Sequence, residues 1–491
     1  MRLWPCTRKK NALDHALLGL VEHLRPAFGD VRVFERFRRL VFGMLTADER
    51  RTITALLEAT GKSHCDWSAD YRVFSRDVWE PTDIFARLVP SILTLNSSGG
   101  NRIVASLDDT NVRKTGTRIP GVAYRRDPMS PPFRANLIRA QRFVQTSMVI
   151  PFADGASASR AIPVGFDHAP SAGKVRKGAS EHDKEVHRAE EKRCALSAYG
   201  NGAIKRLRTT LDTSGASEIR LLMAVDGSYT NQKVLKDLPE RTDLIGRIRK
   251  DAVLHHLPTS TDKRGRPQKY GTELTPEQVR HDDAIAWKSV RVFGAGRIHD
   301  CQVKEVVPLL WRKTGADRQL RLIVIRPLAY RRSKSARVLY RQPAFLITTD
   351  SDSPLDELVQ AYFWRWDIEV NHRDEKQLIG VGHAQVRAPK SAERVPAFAV
   401  ACYSMLLISA ARAFGIAAAD PVVDRPKWLT RSSCKPVRLS TNQLLRRLKQ
   451  ERRAAPIDLP NFDHFAFNVA RAMKLPKSEI SLDQALQYAL N

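Results

Sequence analysis

Four residues in "AYFWRWDIEVNHRDEKQLIGVGHAQVR" have the right types and spacing to handle a phosphodiester: Tyr362, Arg365, Glu369 and Lys376. On a helix turning about 100° per residue they fall at roughly 0°, 300°, 340° and 320°, so one narrow stripe carries all four. Arg and Lys would take up phosphate charge, Tyr would add a hydrogen bond, and Glu would bind a metal ion. Taken alone, the same pattern also describes a surface ladder of charge pairs. Two further sites weigh against that plainer reading. "RIVASLDDT" is an apolar run ending on Asp108 and Asp109, and "IRLLMAVDGSYTNQ" is another ending on Asp226. Neighbouring strands that end in Asp at one sheet edge put two carboxylates where a helix can supply a third. Three hard oxygen donors of this kind suit Mg²⁺, with Mn²⁺ able to substitute. They make a two-metal phosphoryl-transfer site, with ions about 3.5 to 4 Å apart.

The elements that must position these residues can be followed along the chain. Residues 1–98 are predicted to form a helical unit rich in arginine, including Arg36, Arg38, Arg39, Arg50 and Arg51, with "NSSGG" as a linker after it. Residues 99–250 alternate strands and helices: "RIVASLDDT", "FVQTSMVI", "AIPVGF", a long polar helix over roughly 181–210, the strand ending at Asp226, a short helix, and "TDLIGRIRK". That order predicts an α/β fold with a ribonuclease-H-like catalytic core. From 251 to 342 short β-rich pieces such as "AWKSVRVFGAG" and "DCQVKEVVPLLW" read as an insertion. The core resumes over 343–394 with "PAFLITT" and the helix of the stripe, expected from about Leu355 through Leu378. A helical C-terminal region, 395–491, carries the basic run "RPKWLTRSSCKPVRLSTNQLLRRLKQERR".

Bulk properties restrict the function classes. At 491 residues the chain exceeds the size of one compact core. With 43% hydrophobic and 27% charged residues it reads as globular, with no apolar run of membrane-spanning length and no signal peptide, which predicts a cytoplasmic protein. Six scattered cysteines, among them Cys6, Cys65 and Cys434, suit neither a zinc ribbon nor a disulfide framework. A net charge of +28 calls for a polyanionic partner such as nucleic acid.

The stripe also matches, position by position, the Y-(2)-R-(3)-E-(6)-K signature of DDE transposases of the insertion-sequence-four type, which the chain resembles. The resemblance runs through "LDDT" with Lys114 and Gly116, "AVDGSYTN", "GRPQKYG" and "KQLIGVGHAQVR", about Ile103 to Arg387. In that family the first acid is followed by Thr. The resemblance therefore implies Asp109 rather than Asp108, with Asp226 and Glu369, as catalytic acids and metal ligands. It implies Tyr362, Arg365 and Lys376 as phosphate-binding residues. It further implies hydrolysis at transposon ends, attack of the released 3′-OH on target DNA, and a homodimer in the DNA complex. Several relatives hold a flipped base against an aromatic residue near the end of the insertion, where Phe345 is the nearest candidate, although a Phe on a strand is more often core. Two alternatives share the fold: a silent DNA-binding protein, and a two-metal nuclease that cuts without joining.

Overall fold

The computed structural model describes residues 12–453, apart from 49, 63–65, 97–101, 128–129, 132, 135, 259–267, 332–334 and 417–438. Most of the expected linker, Cys6, Cys65 and Cys434, the first part of "GRPQKYG", the early half of the basic C-terminal run and residues 454–491 therefore lie outside the described residues.

Five helices come first: α1 (Ala12–Glu22), α2 (Val31–Thr46), α3 (Ile53–Ala59), α4 (Ser68–Ser75) and α5 (Pro81–Leu93). They start where the sequence provides caps: Asp30 accepts from the Arg32 backbone, Thr52 from that of Ala55, and Pro81 opens α5. Next come β1 (Arg102–Arg113), β2 (Ala123–Arg126), β3 (Leu137–Pro151), β4 (Ser159–His168), α6 (Glu181–Arg193), α7 (Leu196–Leu211), β5 (Arg220–Val225), α8 (Gln232–Lys236) and β6 (Thr242–Arg247). The polar helix expected over 181–210 is thus two helices, broken at Cys194 and Ala195. The insertion contains β7 (Leu254–His255), β8 (Glu273–Leu274), α9 (Pro276–His281), β9 (Lys288–Gly294), β10 (Arg297–Trp311), β11 (Gly315–Ile325), β12 (Ala329–Tyr330) and β13 (Leu339–Tyr340). β14 (Ala344–Thr348), α10 (Leu355–Trp364), α11 (Asp367–Asp374), α12 (Pro389–Phe414) and α13 (Thr441–Arg453) complete the described chain.

One mixed sheet of twelve strands organises everything, in the order β2-β3-β1-β5-β6-β14-β11-β10-β7-β8, with β4 also on β3 and β9 also on β10. β1 lies antiparallel to β3 and parallel to β5, and β5 is parallel to β6. The insertion does not stand apart, because β14 pairs with β6 on one side and β11 on the other. Its long strands thereby prolong the central sheet.

α12 is long and apolar enough to cross a membrane by composition alone, but 83% of its most apolar stretch is buried within the fold. It is a core helix, with α1, α2, α4, α5 and β4 packed around it. Phe398 on α12 meets both Phe37 and Phe74 edge-on at 5.2 Å. The buried Arg394 reaches Asp77 at 2.7 Å and Glu80 at 2.6 Å. The N-terminal helices therefore share a core with α12, three hundred residues away, instead of closing on one of their own. α13 joins the same body: Lys449 pairs with Asp48 at 2.5 Å and Arg452 with Asp14 at 2.7 Å.

Candidate active site

β1 and β5 meet where both run into polar residues. Residues 103–107 of β1 are buried on both faces, as expected of a central strand, and 221–225 of β5 likewise. The parallel register pairs Leu107 with Val225, and continuing it by one residue sets Asp108 beside Asp226. After Val225 the chain turns. Asp226 fixes the turn by accepting the Ser228 N–H at Oδ1 (2.8 Å) and the Ser228 hydroxyl at Oδ2 (3.3 Å), and its carbonyl accepts the Thr230 hydroxyl at 2.9 Å. Asn231 then caps α8. The motif "AVDGSYTN" is thus a strand end, a side-chain-stabilised turn and a helix cap.

The stripe arrives from the other layer. α10 ends at Trp364, the backbone bends through Arg365 and Trp366, and α11 continues to Asp374 before a wider π turn over Glu375–Ile379. Gly380 stops it in the left-handed conformation (φ 70°). Arg365 Nη1 lies 3.4 Å from Asp108 Oδ2, and Arg365 Nη2 lies 3.3 Å from Glu369 Oε1. Its guanidinium also stands 5.8 Å from the Tyr362 ring centre. Burial opposes the charge on Arg365, but Tyr362, Asp108, Glu369 and Asp226 outweigh it, and its pKa is raised. Burial raises the Tyr362 hydroxyl, with Arg365 opposing. Lys376 is lowered, first by burial, while Glu375 and Asp108 pull it back; Asp108 is near enough to be felt, though Lys376 does not line the cavity.

Asp108, Asp226, Arg365 and Glu369 together line a cavity of about 1650 Å³ between the central strands and the insertion. Asp108 is pushed up to about 7 by burial and by the neighbouring Asp226, with Arg365 pulling the other way. Asp109 is placed differently. Successive strand residues face opposite sides, so Asp109 points to the face covered by α7. There burial and the Asp226 charge raise it while Arg142 and Arg125 pull it down. It does not line the cavity. Asp109, which the resemblance implies as the first acid because of the Thr that follows it, thus lies on the strand face opposite the cavity that Asp108 lines. The other acids of the signature are engaged elsewhere. Asp367 accepts from the Ser159 hydroxyl at 2.5 Å, Asp374 from Thr441 at 2.6 Å, and Glu375 is buried beside Gln145.

Among the described residues no three His, Cys, Asp or Glu side chains close into a ready metal cage. The donor set nonetheless fits a divalent cation. Three carboxylates face one cavity, burial together with the neighbouring Asp226 holds the Asp108 proton near neutrality, and a guanidinium already bridges two of them as a positive counter-charge.

The remaining wall of the cavity carries more cations than anions: Arg249, Lys250, Arg312, Lys313 and Arg341 from the insertion and its borders stand among Asp251, Glu273 and Glu277, with Arg249 paired to Asp251 at 2.7 Å and Arg312 to Glu273 at 3.5 Å. Sequence reading did not single these out; the signal available was a run of cations at the ends of insertion strands. Phe345 borders the cavity but is 6% exposed, on a strand paired at Val324. The "K-x-G" and "GHAQ" motifs prove to be one joint: Lys114 Nζ donates to the Ala384 carbonyl at 2.7 Å, and Gln385 Oε1 accepts the Thr115 N–H at 3.0 Å and the Gly116 N–H at 3.3 Å. His383 in turn accepts the Arg51 N–H at 3.0 Å, which ties the N-terminal helices to the same joint. Of "GRPQKYG", the described Tyr270 packs against His255 with ring centres 5.2 Å apart.

Residues 23–314, more than half of the chain, match the DDE superfamily endonuclease family. The chain belongs to that family, whose members act on DNA as transposases or nucleases and generally use divalent metals. The matched stretch contains Asp108, Asp109 and Asp226 and stops before the helix of Glu369. No curated protein matches the chain significantly.

Proposed function

We propose that this protein is a DNA transposase of the insertion-sequence-four type, which cleaves phosphodiester bonds at transposon ends and joins the released 3′-OH to target DNA. The observation that carries this reading is the convergence of Asp108, Asp226, Glu369 and Arg365 on one cavity whose far wall carries more cations than anions. Asp108, Asp226 and Glu369 would hold two divalent ions, Mg²⁺ or Mn²⁺. When bound, such ions supply Lewis-acid stabilisation of the attacking and leaving oxygens. The protein's own groups do the rest. Arg365, which lines the cavity, binds the phosphate, Tyr362 positions the Arg365 guanidinium, Lys376 adds positive charge from behind the lining, and the cations of the insertion wall hold the DNA strand that leads to it. The strand order around β1, with β3 on one side and β5 and β6 on the other, supports a ribonuclease-H-like core. The helices at both ends of the chain are proposed to recognise the transposon ends, within a homodimer on DNA.

Purified protein with Mg²⁺ and DNA carrying the ends that flank its gene tests the reading. Excised or joined products are expected from the wild type, and none from Asp108→Asn, Asp226→Asn or Glu369→Gln, all still binding DNA. An unaltered cleavage rate in Asp226→Asn or Glu369→Gln would refute it.

A further inference from the structure

The cavity lies on one side of the carboxylates, toward β6, β14 and the insertion. On the opposite side the sheet ends in β2, its edge strand. Residues 113–139, which contain this edge, carry seven basic residues, Arg113, Lys114, Arg118, Arg125, Arg126, Arg134 and Arg139, against the single acid Asp127. That acid is neutralised within the fold by Arg113 at 2.7 Å. Large side chains stand out among the arginines: Tyr124 is 72% exposed, Phe133 89% and Leu137 60%.

Register decides which way this edge faces. Asp108 pairs with Gln145, and Tyr124 with Arg139, both partners being on β3. Residues directly opposite on paired strands share a face, and 145 and 139 are an even number apart, so Tyr124 and Arg139 lie on the same sheet face as Asp108. Arg126, opposite Leu137, lies there too. Tyr124 is held in place from below. The Arg139 guanidinium sits 5.8 Å from its ring centre and is itself anchored by donating to the Thr115 and Gly116 carbonyls at 3.3 and 3.1 Å. Six residues of strand separate this platform from Asp108, roughly 20 Å at about 3.3 Å per residue, which is about six base pairs of duplex.

We infer that the face of the β2–β3 hairpin bearing Tyr124, Arg126, Leu137 and Arg139, with Arg134 beside it, is a second DNA-binding surface. It takes the duplex that continues past the scissile phosphate, away from the insertion. DNA then crosses the carboxylates with a basic contact on each side: the insertion wall holds one arm and the hairpin the other. Charge complementarity identifies the occupant, since four of these cations, Arg113, Arg118, Arg126 and Arg134, are exposed on this edge against the one acid Asp127 and would repel one another without phosphates against them. The aromatic and aliphatic tips serve the sugar and base edges that phosphate contacts cannot reach. This inference rests on the proposed reaction and extends it to the path of the substrate.

The test measures binding of the full chain to a roughly 40-base-pair duplex by fluorescence anisotropy, as the slope of log affinity against log salt. Arg126→Ala/Arg134→Ala is expected to lower that slope by about 1.8, at about 0.9 for each phosphate no longer neutralised. Arg126→Lys/Arg134→Lys is expected to restore it, because the charge is kept. Arg312→Ala/Lys313→Ala, on the cavity wall, provides the independent arm and is expected to lower the slope as well. An unchanged slope in the hairpin alanine variant, with a lowered one in the cavity variant, overturns the hairpin surface and leaves the proposed function standing. Failure of the lysine variant to restore the slope overturns it too, since the residues would then be structural. Absence of duplex binding by the wild type overturns both readings.

Discussion

Replacing Glu375 by glutamine is expected to stabilise the fold at neutral pH while leaving cleavage intact. The side chain is fully buried where the π turn meets β3, and burial pushes its carboxyl up to about 8, with Gln145 and Lys376 opposing and Asp374 reinforcing the shift. Nearby His372 is held down to about 3 by burial and stays neutral across the relevant range. One Glu375 oxygen and the Gln145 side-chain oxygen both lack a partner. A carboxyl raised above its unfolded value contributes stability that is complete below the unfolded pKa of about 4.5 and is lost as pH rises toward 8. At pH 7 the loss is about 2.5 pH units, or about 3 kcal/mol at about 1.4 kcal/mol per unit. At pH 5 it is below about 1 kcal/mol. Glutamine carries no such titration, and its amide can donate to the Gln145 oxygen. Urea unfolding followed by tryptophan fluorescence from pH 5 to 9 should show the wild type losing stability against the variant as pH rises, with the gap levelling off above about pH 8. Parallel curves at every pH would mean that Glu375 does not titrate in the fold, and the reasoning would fail.

Other substitutions test the site and the packing. Asp109→Asn, on the α7 face, is expected to retain substantial cleavage whereas Asp108→Asn has none; the reverse ranking on the same DNA would return the first acid to Asp109. Arg365→Lys cannot reach Asp108 and Glu369 with one fork, and forfeiting one charge-assisted hydrogen bond predicts a cleavage rate lower by about 10- to 100-fold, with unchanged DNA affinity in gel shifts. Phe398→Ala removes the ring between Phe37 and Phe74 and is expected to cost about 3 to 5 kcal/mol, read as a lower melting temperature. For the same reason a fragment of residues 12–98 is expected to bind a hydrophobic dye and melt without cooperativity; a sharp melt would show that those helices need no α12.

The helix of Glu369 could be read from the sequence because a helical period is local: Tyr362, Arg365 and Glu369 reveal their common face within eight residues. The choice between Asp108 and Asp109 could not be read that way. β1 is buried on both faces, so alternation of polar and apolar residues, the usual sign of which face a strand residue takes, is missing over 103–107. The deciding fact is the pairing of Leu107 with Val225, more than a hundred residues on. Non-local contact likewise explains the other differences. The strands of the insertion are readable one by one, but their junction with the core through β14 depends on pairings with β6 and β11. The N-terminal helices are readable from their caps and apolar stripes, yet the residues that complete their core, Arg394 and Phe398, belong to α12. The four-residue β2 is too short to give a period, so nothing in the sequence marks Tyr124 as a strand residue.

The charge distribution links these parts physically. A chain with a net charge of +28 places its best-defined carboxylate group at the centre of its DNA-facing sheet, with cations on the insertion wall on one side and on the β2 edge on the other. On the proposed path DNA is attracted at both flanks and repelled at the middle, where burial and the neighbouring Asp226 make Asp108 hold its proton up to about 7. Arg365 relieves part of that crowding by spanning Asp108 and Glu369, but one guanidinium cannot neutralise three carboxylates and a phosphate as well. A scissile phosphate can enter only if further positive charge enters with it, and divalent ions can stay only if enough oxygens surround them. The phosphate and the ions thus each supply what the other lacks. The proposed function therefore predicts that binding of DNA and binding of metal are coupled and reciprocal, the flanks capturing DNA without metal and the centre closing on it only when both are present.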